Sequence, residues 1–309
     1  MSGSINKMSI DEIKNAILSH CYKRFFEEKS DDYFDAKAFA DLNHYSQDEV
    51  FKVIEEFREA GWINTECAGG SYEFTPDALI YCENNKLVSE SLIVKQHSIR
   101  IKLLNVLSDL QDQSLHGELA HWEEWLRKSE VDDDDFNRNI KVIEHQCLVT
   151  HDGEYSYKLT LTGKSVVADF RKRDKRLKDF ERLERLEVVT KQERGHKLED
   201  LLADSAEWEG WEVTRRPRSQ GTENDIIMHV GLHYFLSSCK WESKRLSSDV
   251  AELLETRVRR RPPANGGILF SMSGFAAGCI NEMRQLIASA LIIPFGPKDI
   301  RLIMQNKNQ

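Results

Sequence analysis

The 309-residue sequence lacks the short motifs that mark several large classes of protein. Its six cysteines are scattered with no CxxC pair, which argues against a zinc ribbon or a disulfide scaffold and fits a reducing compartment. The ten histidines form no HExxH cluster, and no Walker A or GxGxxG sequence occurs, so no nucleotide cofactor is indicated. No signal peptide opens the chain, and no apolar run approaches the ~20 residues that span a bilayer. We therefore expect a soluble, cytoplasmic protein without a membrane partner.

Basic residues are scarce only in the first half of the chain. The formal net charge is -9, yet residues 1–165 carry 18 Lys/Arg against 31 Asp/Glu, whereas residues 166–309 carry 25 against 21. Because phosphate backbones attract Lys and Arg, the carboxyl half is the better candidate for contact with nucleic acid. A length of 309 residues with 40% apolar residues is also enough for several packed domains.

A β-hairpin is predicted in this carboxyl half. Residues 225–230 and 234–241 are rich in β-forming residues and are separated by a Gly-Leu-His stretch that can turn. Side chains alternate between the two faces of a strand. One face is therefore predicted to carry Ser238, Lys240 and Glu242, and the other Cys239 and Trp241.

The hairpin brings a carboxylate, Asp225, beside an ammonium group, Lys240. A carboxylate oxygen can hold Mg²⁺, and a cation can orient the attacking water or offset charge that develops on a phosphate. These are the minimum requirements for phosphodiester hydrolysis. The simpler alternative is that Asp225 is a turn acid and Lys240 an ordinary surface residue.

Over roughly residues 194–304 the chain resembles the PD-(D/E)XK superfamily, the restriction-endonuclease-like fold, and in particular its Mrr-like branch. The predicted order α-β-β-α-β-α-β fits that fold, because strands that alternate with helices imply a sheet covered by helices. After the hairpin come a crossover helix at 248–255, a buried strand at 267–275, a helix at 276–290 and a last strand at 291–295.

The resemblance implies a Mg²⁺- or Mn²⁺-dependent DNA endonuclease. Asp225 takes the place of the motif aspartate and would be the principal metal ligand, and Lys240 takes that of the motif lysine. Glu199, on the opening helix, would bind the metal directly or through water. Because the family includes restriction and anti-phage effectors, a defence role is also implied.

The chain departs from the family pattern at Ser238. The motif has Asp or Glu two positions before the lysine, and a hydroxyl is a weaker Mg²⁺ ligand than a carboxylate. Glu242 is the first choice for the displaced acid. The other candidates are Glu223, Glu252 and Glu255.

Two arginine clusters lie near the proposed site. Clusters so close to a metal–phosphate site would steer and clamp a nucleic-acid backbone. The simpler explanation is a helix end favoured by cations together with a solvated loop. The first cluster is Arg215, Arg216 and Arg218, and the second is Arg257, Arg259, Arg260 and Arg261.

The amino half reads as two similar modules, each with three helices followed by a two-stranded wing, as in a winged helix. In the first, Ser46 and Glu49 form a capping-box pattern before a helix that ends at Gly61. The helix that would enter the major groove is acidic in both modules, including Asp132 to Asp135 in the second. Phosphate repels such helices, so we expect contact with protein or dimerisation in preference to DNA reading.

A charged helix is predicted between the modules and the nuclease-like domain. It has no Gly or Pro from 164 to 194 and places apolar residues at three- to seven-residue spacings, at Phe170, Leu177, Phe180, Leu183 and Leu186. This pattern is compatible with a solvated connector or with a short coiled coil that makes the chain a homodimer.

The sequence thus predicts an α+β multidomain protein. Its parts are winged-helix modules at 1–88 and 89–165, a helical connector at 166–194, and an α/β restriction-endonuclease-like domain with a mixed central sheet at 195–309. The alternative function is a catalytically degenerate nuclease fold that binds DNA or a protein partner.

Overall fold

The protein is described here by a computed structural model. The described residues are 9–29, 33–67, 71–114, 119–153, 155–185, 190–215, 218–219, 222–223, 226–261 and 264–305. The chain divides into two compact units, residues 1–170 and residues 171–309. It is an α+β protein, in which small antiparallel sheets belong to the first unit and a mixed sheet to the second.

The first unit begins with a module in which four described α-helices accompany a three-stranded antiparallel sheet in the order β1-β3-β2. A capping box between Ser9 and Glu12 starts the first helix, and Pro76 occupies the first position of the helix that closes the module. The elements are α1 (Ile10–Lys23), a π-helical turn (Arg24–Glu28), β1 (Tyr33–Asp35), α2 (Ala36–Asn43), α3 (Gln47–Glu59), β2 (Ile63–Cys67), β3 (Ser71–Phe74) and α4 (Pro76–Asn84).

The second module repeats this order, and its sheet has the equivalent arrangement β4-β6-β5. A close approach of backbone shapes its end, because a Cβ on Gly163 would lie 2.0 Å from the carbonyl oxygen of Leu148. The elements are α5 (Glu90–Gln113), β4 (Ala120–His121), α6 (Trp122–Ser129), α7 (Asp133–His145), β5 (Val149–His151), β6 (Ser156–Leu159) and the start of α8 (Leu161–Glu184).

Two details of the modules differ from the sequence prediction. Each module has a third strand, β1 or β4, which is only two or three residues long and therefore leaves almost no alternating pattern to detect. The capping box predicted at Ser46 is wrong, because the Ser46 side chain makes no capping hydrogen bond although the residue is the N-cap of α3.

The two modules pack against each other through α7. Val142 of α7 belongs to the apolar core of the first module. Lys29 of the first module donates to the Asp132 carboxylate at 2.6 Å, and His145 lies 2.8 Å from Asp77. In the winged-helix interpretation, α7 is the helix that would enter a DNA groove. The first module therefore covers one side of this helix.

A buried polar network also stabilises the packing of the two modules. Arg100 donates two hydrogen bonds to the Glu83 carboxylate, at 2.7 and 2.8 Å, and a third to Asn139 at 3.0 Å. The Tyr22 hydroxyl donates to Glu83 at 2.7 Å, and a ring nitrogen of His97 lies 2.9 Å from it. Burial alone would raise the pKa of Glu83, but the hydrogen bonds from these partners outweigh it and lower the pKa to about 2.

The second unit is built on a five-stranded mixed sheet in the order β13-β12-β11-β10-β7, which confirms the predicted mixed central sheet. β7, β10 and β11 are antiparallel neighbours, and β11, β12 and β13 are parallel. The elements after α8 are α9 (Lys191–Trp208), β7 (Glu212–Arg215), β8 (Arg218–Ser219), β9 (Thr222–Glu223), β10 (Ile226–Val230), β11 (His233–Lys240), α10 (Ser248–Arg259), β12 (Gly266–Ser271), α11 (Ala277–Leu286), β13 (Leu291–Phe295) and α12 (Pro297–Gln305).

Helices cover both faces of this sheet. On one face, α9, α12 and the second half of α8 pack on alternate strand residues such as Met228, Cys239 and Phe270. On the other face, α10 and α11 pack on residues such as Leu236 and Leu269. Compared with the predicted order of elements, β7 is an additional strand between the opening helix and the hairpin, and α12 is an additional helix after the last strand.

Three residues of the second unit have packing roles that the sequence alone did not show. Gly267 lies inside β12, where a Cβ would approach the Leu254 side chain to 2.9 Å and the Ile292 side chain to 2.8 Å, so close packing requires a glycine there. Phe180 and Leu183, from the stripe predicted for a coiled coil, are buried in the core of their own unit. A homodimer stays a prediction, but these two side chains are not available to form it.

The finer division into four parts also stays a prediction. The proposed boundary at 165/166 falls inside α8, and the one at 194/195 falls inside α9. Among the described residues no helix combines the length and apolar character needed to cross a bilayer.

Candidate nuclease site

The candidate site lies at the carboxyl end of β11. The predicted hairpin is present, since β10 and β11 pair antiparallel with Ile226 opposite Ser237. Lys240 is the last residue of β11 and pairs in register with Ser271 of the parallel strand β12. In α/β proteins, ligands commonly bind at the carboxyl ends of parallel strands.

The predicted alternation of side chains along β11 is supported by the core. Cys239 and Trp241 pack with the α9 face of the sheet. Leu236 packs with the α10 face, and Ser238 and Lys240 share its parity. Ser238 is buried at 3% exposure, whereas Lys240 is half-buried, so Lys240 can reach the surface at the strand end.

Asp225, the proposed principal metal ligand, lies outside the described residues, and it directly precedes Ile226 in the sequence. Arg216 lies outside them as well, and the side chains of Arg218 and Glu223 are not described. The short strands β8 and β9 pair these last two residues in register.

Glu199 is buried in α9, at 7% exposure, and its carboxylate lies 3.2 Å from a ring nitrogen of His196. Because α9 covers the face of the sheet opposite to that of Lys240, the two side chains can meet only around the end of β11. The start of α9 does approach that end, since the guanidinium of Arg194 lies 5.3 Å from the centre of the Trp241 ring.

The acids proposed to replace the missing motif carboxylate occupy different environments. Glu242 is exposed and follows the end of β11, so strand alternation does not set its direction. Glu255 is buried in α10, on the face of Lys240, and Arg259 lies 3.5 Å from its carboxylate. Glu252, on the same helix, is exposed.

The arginines proposed to contact nucleic acid are also differently engaged. Arg215 donates at 2.7 Å to both Asp204 and Glu207, so it is held against α9. Arg259 and Arg260 are exposed at the end of α10, and Arg257 is half-buried there.

The contact between Arg194 and Trp241 was not found from the sequence. A cation over an indole ring joins the first turn of α9 to the residue after Lys240. Its two residues are 47 positions apart in the sequence, and a single aromatic and a single arginine carry no pattern that could reveal such a contact.

The described donors suit a hard cation only in part. Carboxylate oxygens, such as those of Glu199, Glu242 and Glu255, are what Mg²⁺ and Mn²⁺ prefer. Among the described residues, however, no group of three or more His, Cys, Asp or Glu is close enough to hold a metal ion. Asp225, the acid nearest to β10 in the sequence, lies outside the described residues.

Comparison with known proteins adds little. No protein-family model matches the chain, and no curated protein sequence matches it. Solved structures with weak likeness include the restriction endonuclease FokI bound to DNA, at 10% identity and a TM-score of 0.31 over 96% of this chain and 71% of that one.

Two further structures have similar scores. The protein of unknown function AF1548 has 15% identity and a TM-score of 0.27 over 33% of this chain and 56% of that one. Protein VC1899 from Vibrio cholerae has 11% identity and a TM-score of 0.29 over 99% of this chain and 80% of that one. This chain therefore spans little more than half the length of AF1548. TM-scores this low support no conclusion about the fold or the function of this chain.

Proposed function

We propose that the protein is a metal-dependent DNA endonuclease whose second unit has the restriction-endonuclease-like fold. The observation that carries the proposal is the position of Lys240. Lys240 ends the central strand β11 and pairs in register with the parallel strand β12. β10, the antiparallel neighbour of β11, begins directly after Asp225 in the sequence.

In this proposal each residue has a separate role. Asp225 would be the principal ligand of Mg²⁺ or Mn²⁺, Glu199 would bind the ion directly or through water, and Glu242 would replace the missing motif carboxylate. When bound, the metal would polarise the phosphate and activate water. The Lys240 ammonium would orient that water and stabilise the negative charge of the transition state.

The repeated order of helix, strand, two helices and two strands in the first unit supports the winged-helix interpretation of both modules. The contacts of α7 with the first module support a role in protein contact in preference to groove reading. An anti-phage or restriction role, a homodimer and a protein partner for the acidic modules remain parts of the proposal.

A plasmid-cleavage assay tests the proposal. With Mg²⁺ or Mn²⁺ we expect Asp225→Ala and Lys240→Ala each to lower the rate by about 10²-fold or more, the size of effect found when a group that stabilises a transition state is removed. The matched control is Lys298→Ala, at an exposed lysine of α12 in the same unit. All four proteins should have the same unfolding temperature. Equal cleavage by wild type and both site variants would refute the nuclease function.

A second candidate function, a degenerate nuclease fold that binds DNA, is favoured by Ser238. This residue stands where the family pattern has an acid, and it is buried. If this function is correct, the full chain binds duplex DNA with an affinity that falls steeply as salt rises, yet it never cleaves. If the full chain shows neither cleavage nor salt-sensitive binding of DNA, both functions are excluded.

Ser238→Asp separates the two candidates further. A buried carboxylate without a counter-charge is unfavourable, so we expect this variant to unfold at a lower temperature in a chelator. If Asp225 and Lys240 surround a metal position, Mn²⁺ should restore the lost stability and raise the cleavage rate. Loss of stability that Mn²⁺ does not restore would argue against a metal position beside residue 238.

A further inference from the structure

A cavity in the second unit lies away from the candidate nuclease site. It has a volume of about 530 Å³ and is bounded by the second half of α8 and by α9, within the roughly 300–1,000 Å³ typical of small-molecule sites. Leu201 and Trp208 provide an apolar part of its wall. A second cavity of about 390 Å³ shares Asp179, Leu201 and Asp204 with it, so the groove continues along the two helices.

The acids that line this cavity are already engaged by arginines. Asp204 and Glu207 each accept a hydrogen bond of 2.7 Å from Arg215. Asp179 lies 3.5 Å from Arg182, one turn further along α8. These three negative charges are therefore largely compensated without the cations of the cavity.

Three cations of the cavity form no ion pair with a described residue. Lys172 and Lys175 are exposed, lie three residues apart on one face of α8, and form no ion pair with a described residue. Arg176 is buried at 7% exposure, and its Nε has no hydrogen-bond partner among the described residues. The guanidinium of Arg173 stacks 4.8 Å from the centre of the Trp208 ring and adds positive charge beside them.

A buried guanidinium with no carboxylate within ion-pair distance is unusual, because removing a charge from water is unfavourable unless a close counter-charge replaces the water. Burial, followed by repulsion from Arg173, lowers the pKa of Arg176, and attraction from Asp204 and Glu209 opposes only part of this decrease. An anion in the cavity would relieve both effects. A lone phosphate would fill only a small part of the volume, and the indole and leucine side chains provide an apolar surface for the rest of a larger ligand.

We propose that this cavity binds a phosphate-bearing small molecule, with its phosphates held by Lys172, Lys175 and Arg176 and any base or other apolar part resting on Leu201 and Trp208. The recognition chemistry is that of guanidinium and ammonium groups with phosphate oxygens. This site is distinct from the candidate nuclease site and does not depend on nuclease activity.

Isothermal titration calorimetry on the full chain tests the proposal. ATP and pyrophosphate are titrated separately with a chelator present, so that no metal–phosphate contact at the nuclease site contributes. We expect saturable binding of one equivalent, weakened about tenfold or more by Arg176→Gln and by Lys175→Gln, because each removes a charge-assisted hydrogen bond. The matched control is Lys178→Gln, at a neighbouring exposed lysine that pairs with Asp174 at 2.6 Å, and it should bind as wild type does.

Equal affinity for the two ligands would show that phosphate alone is recognised, and tighter binding of ATP would show that the apolar wall contributes; both results support the proposal. No saturable binding, or binding that the Arg176 and Lys175 variants leave unchanged, would overturn it. Binding of duplex DNA that depends on Lys175, without binding of ATP or pyrophosphate, would also overturn it, because the lysines would then belong to a DNA path. Lys175→Gln keeps the test decisive if Arg176→Gln does not fold, since Lys175 is exposed.

Discussion

Each unit contains a buried arginine, and the two are satisfied very differently. Arg100, in the first unit, has a bidentate carboxylate, a side-chain amide and the face of Phe26 around it. Arg176, in the second unit, lines a cavity, and its Nε has no hydrogen-bond partner among the described residues. The first arginine is a structural part of a closed network, whereas the second keeps its hydrogen-bonding capacity for a ligand.

The largest expected effect is that of Arg100→Met. This change leaves the Glu83 carboxylate buried without its main counter-charge, which typically destabilises a protein by about 3–5 kcal/mol. Urea unfolding followed by circular dichroism measures it. The double variant Arg100→Met with Glu83→Leu should recover most of the loss. A loss below about 1 kcal/mol in the single variant would show that the network does not hold the modules together.

Acid should weaken the same network. The pKa of Glu83 is about 2 in the folded protein, below its reference value of 4.5, so its stabilisation is complete above about pH 4.5 and is lost as the pH falls toward 2. The difference between these two pKa values corresponds to about 3 kcal/mol at most. Unfolding of the first unit, measured from pH 7 to pH 3, should show this loss. Glu83→Gln provides the control, because it removes this part of the pH dependence.

A variant at Gly267 can show which unfolding transition belongs to the second unit. Gly267→Ala forces a methyl group against Leu254 and Ile292, and overpacking of this kind costs about 1–3 kcal/mol. We expect it to lower the unfolding temperature of the second unit only, as measured by calorimetry. A shift of both transitions would mean that the two units unfold together and that the effects at Arg100 and Arg176 cannot be separated.

The smallest expected effect is that of Arg176→Met on the ligand-free protein. Because no carboxylate pairs closely with this arginine, replacing it with an apolar side chain should change stability by less than about 1 kcal/mol, or increase it. Urea unfolding without added phosphate measures this. A loss as large as that of Arg100→Met would erase the difference between the two arginines and would make Arg176 structural.

The sequence was sufficient for the regular elements. The strand at 291–295 agrees with β13, and the alternation around Cys239 agrees with the core, because local apolar patterns and turn residues determine both. It was not sufficient for features made by distant residues. The short strands β1 and β4, the use of Phe180 and Leu183 within their own core, and the role of Gly267 all depend on partners far away in the chain.

Only those parts of the candidate site in which strand geometry determines the direction of a side chain could be predicted from the sequence. The positions of Ser238 and Lys240 follow from alternation along β11. Alternation does not extend to Glu242, because β11 ends at Lys240. The burial of Glu199 depends on how α9 packs, and the cavity beside Arg176 depends on how α8 meets α9; neither leaves a pattern in the residues that form it.

The serine at position 238 also bears on how the protein folds without metal ions. A cluster of buried carboxylates repels itself until a cation neutralises it, so a protein with such a cluster needs its ion in order to be stable. A buried neutral hydroxyl places no such demand on the fold. If the second unit has the proposed nuclease function, we therefore expect the chain to fold without divalent cations and to need them only for cleavage.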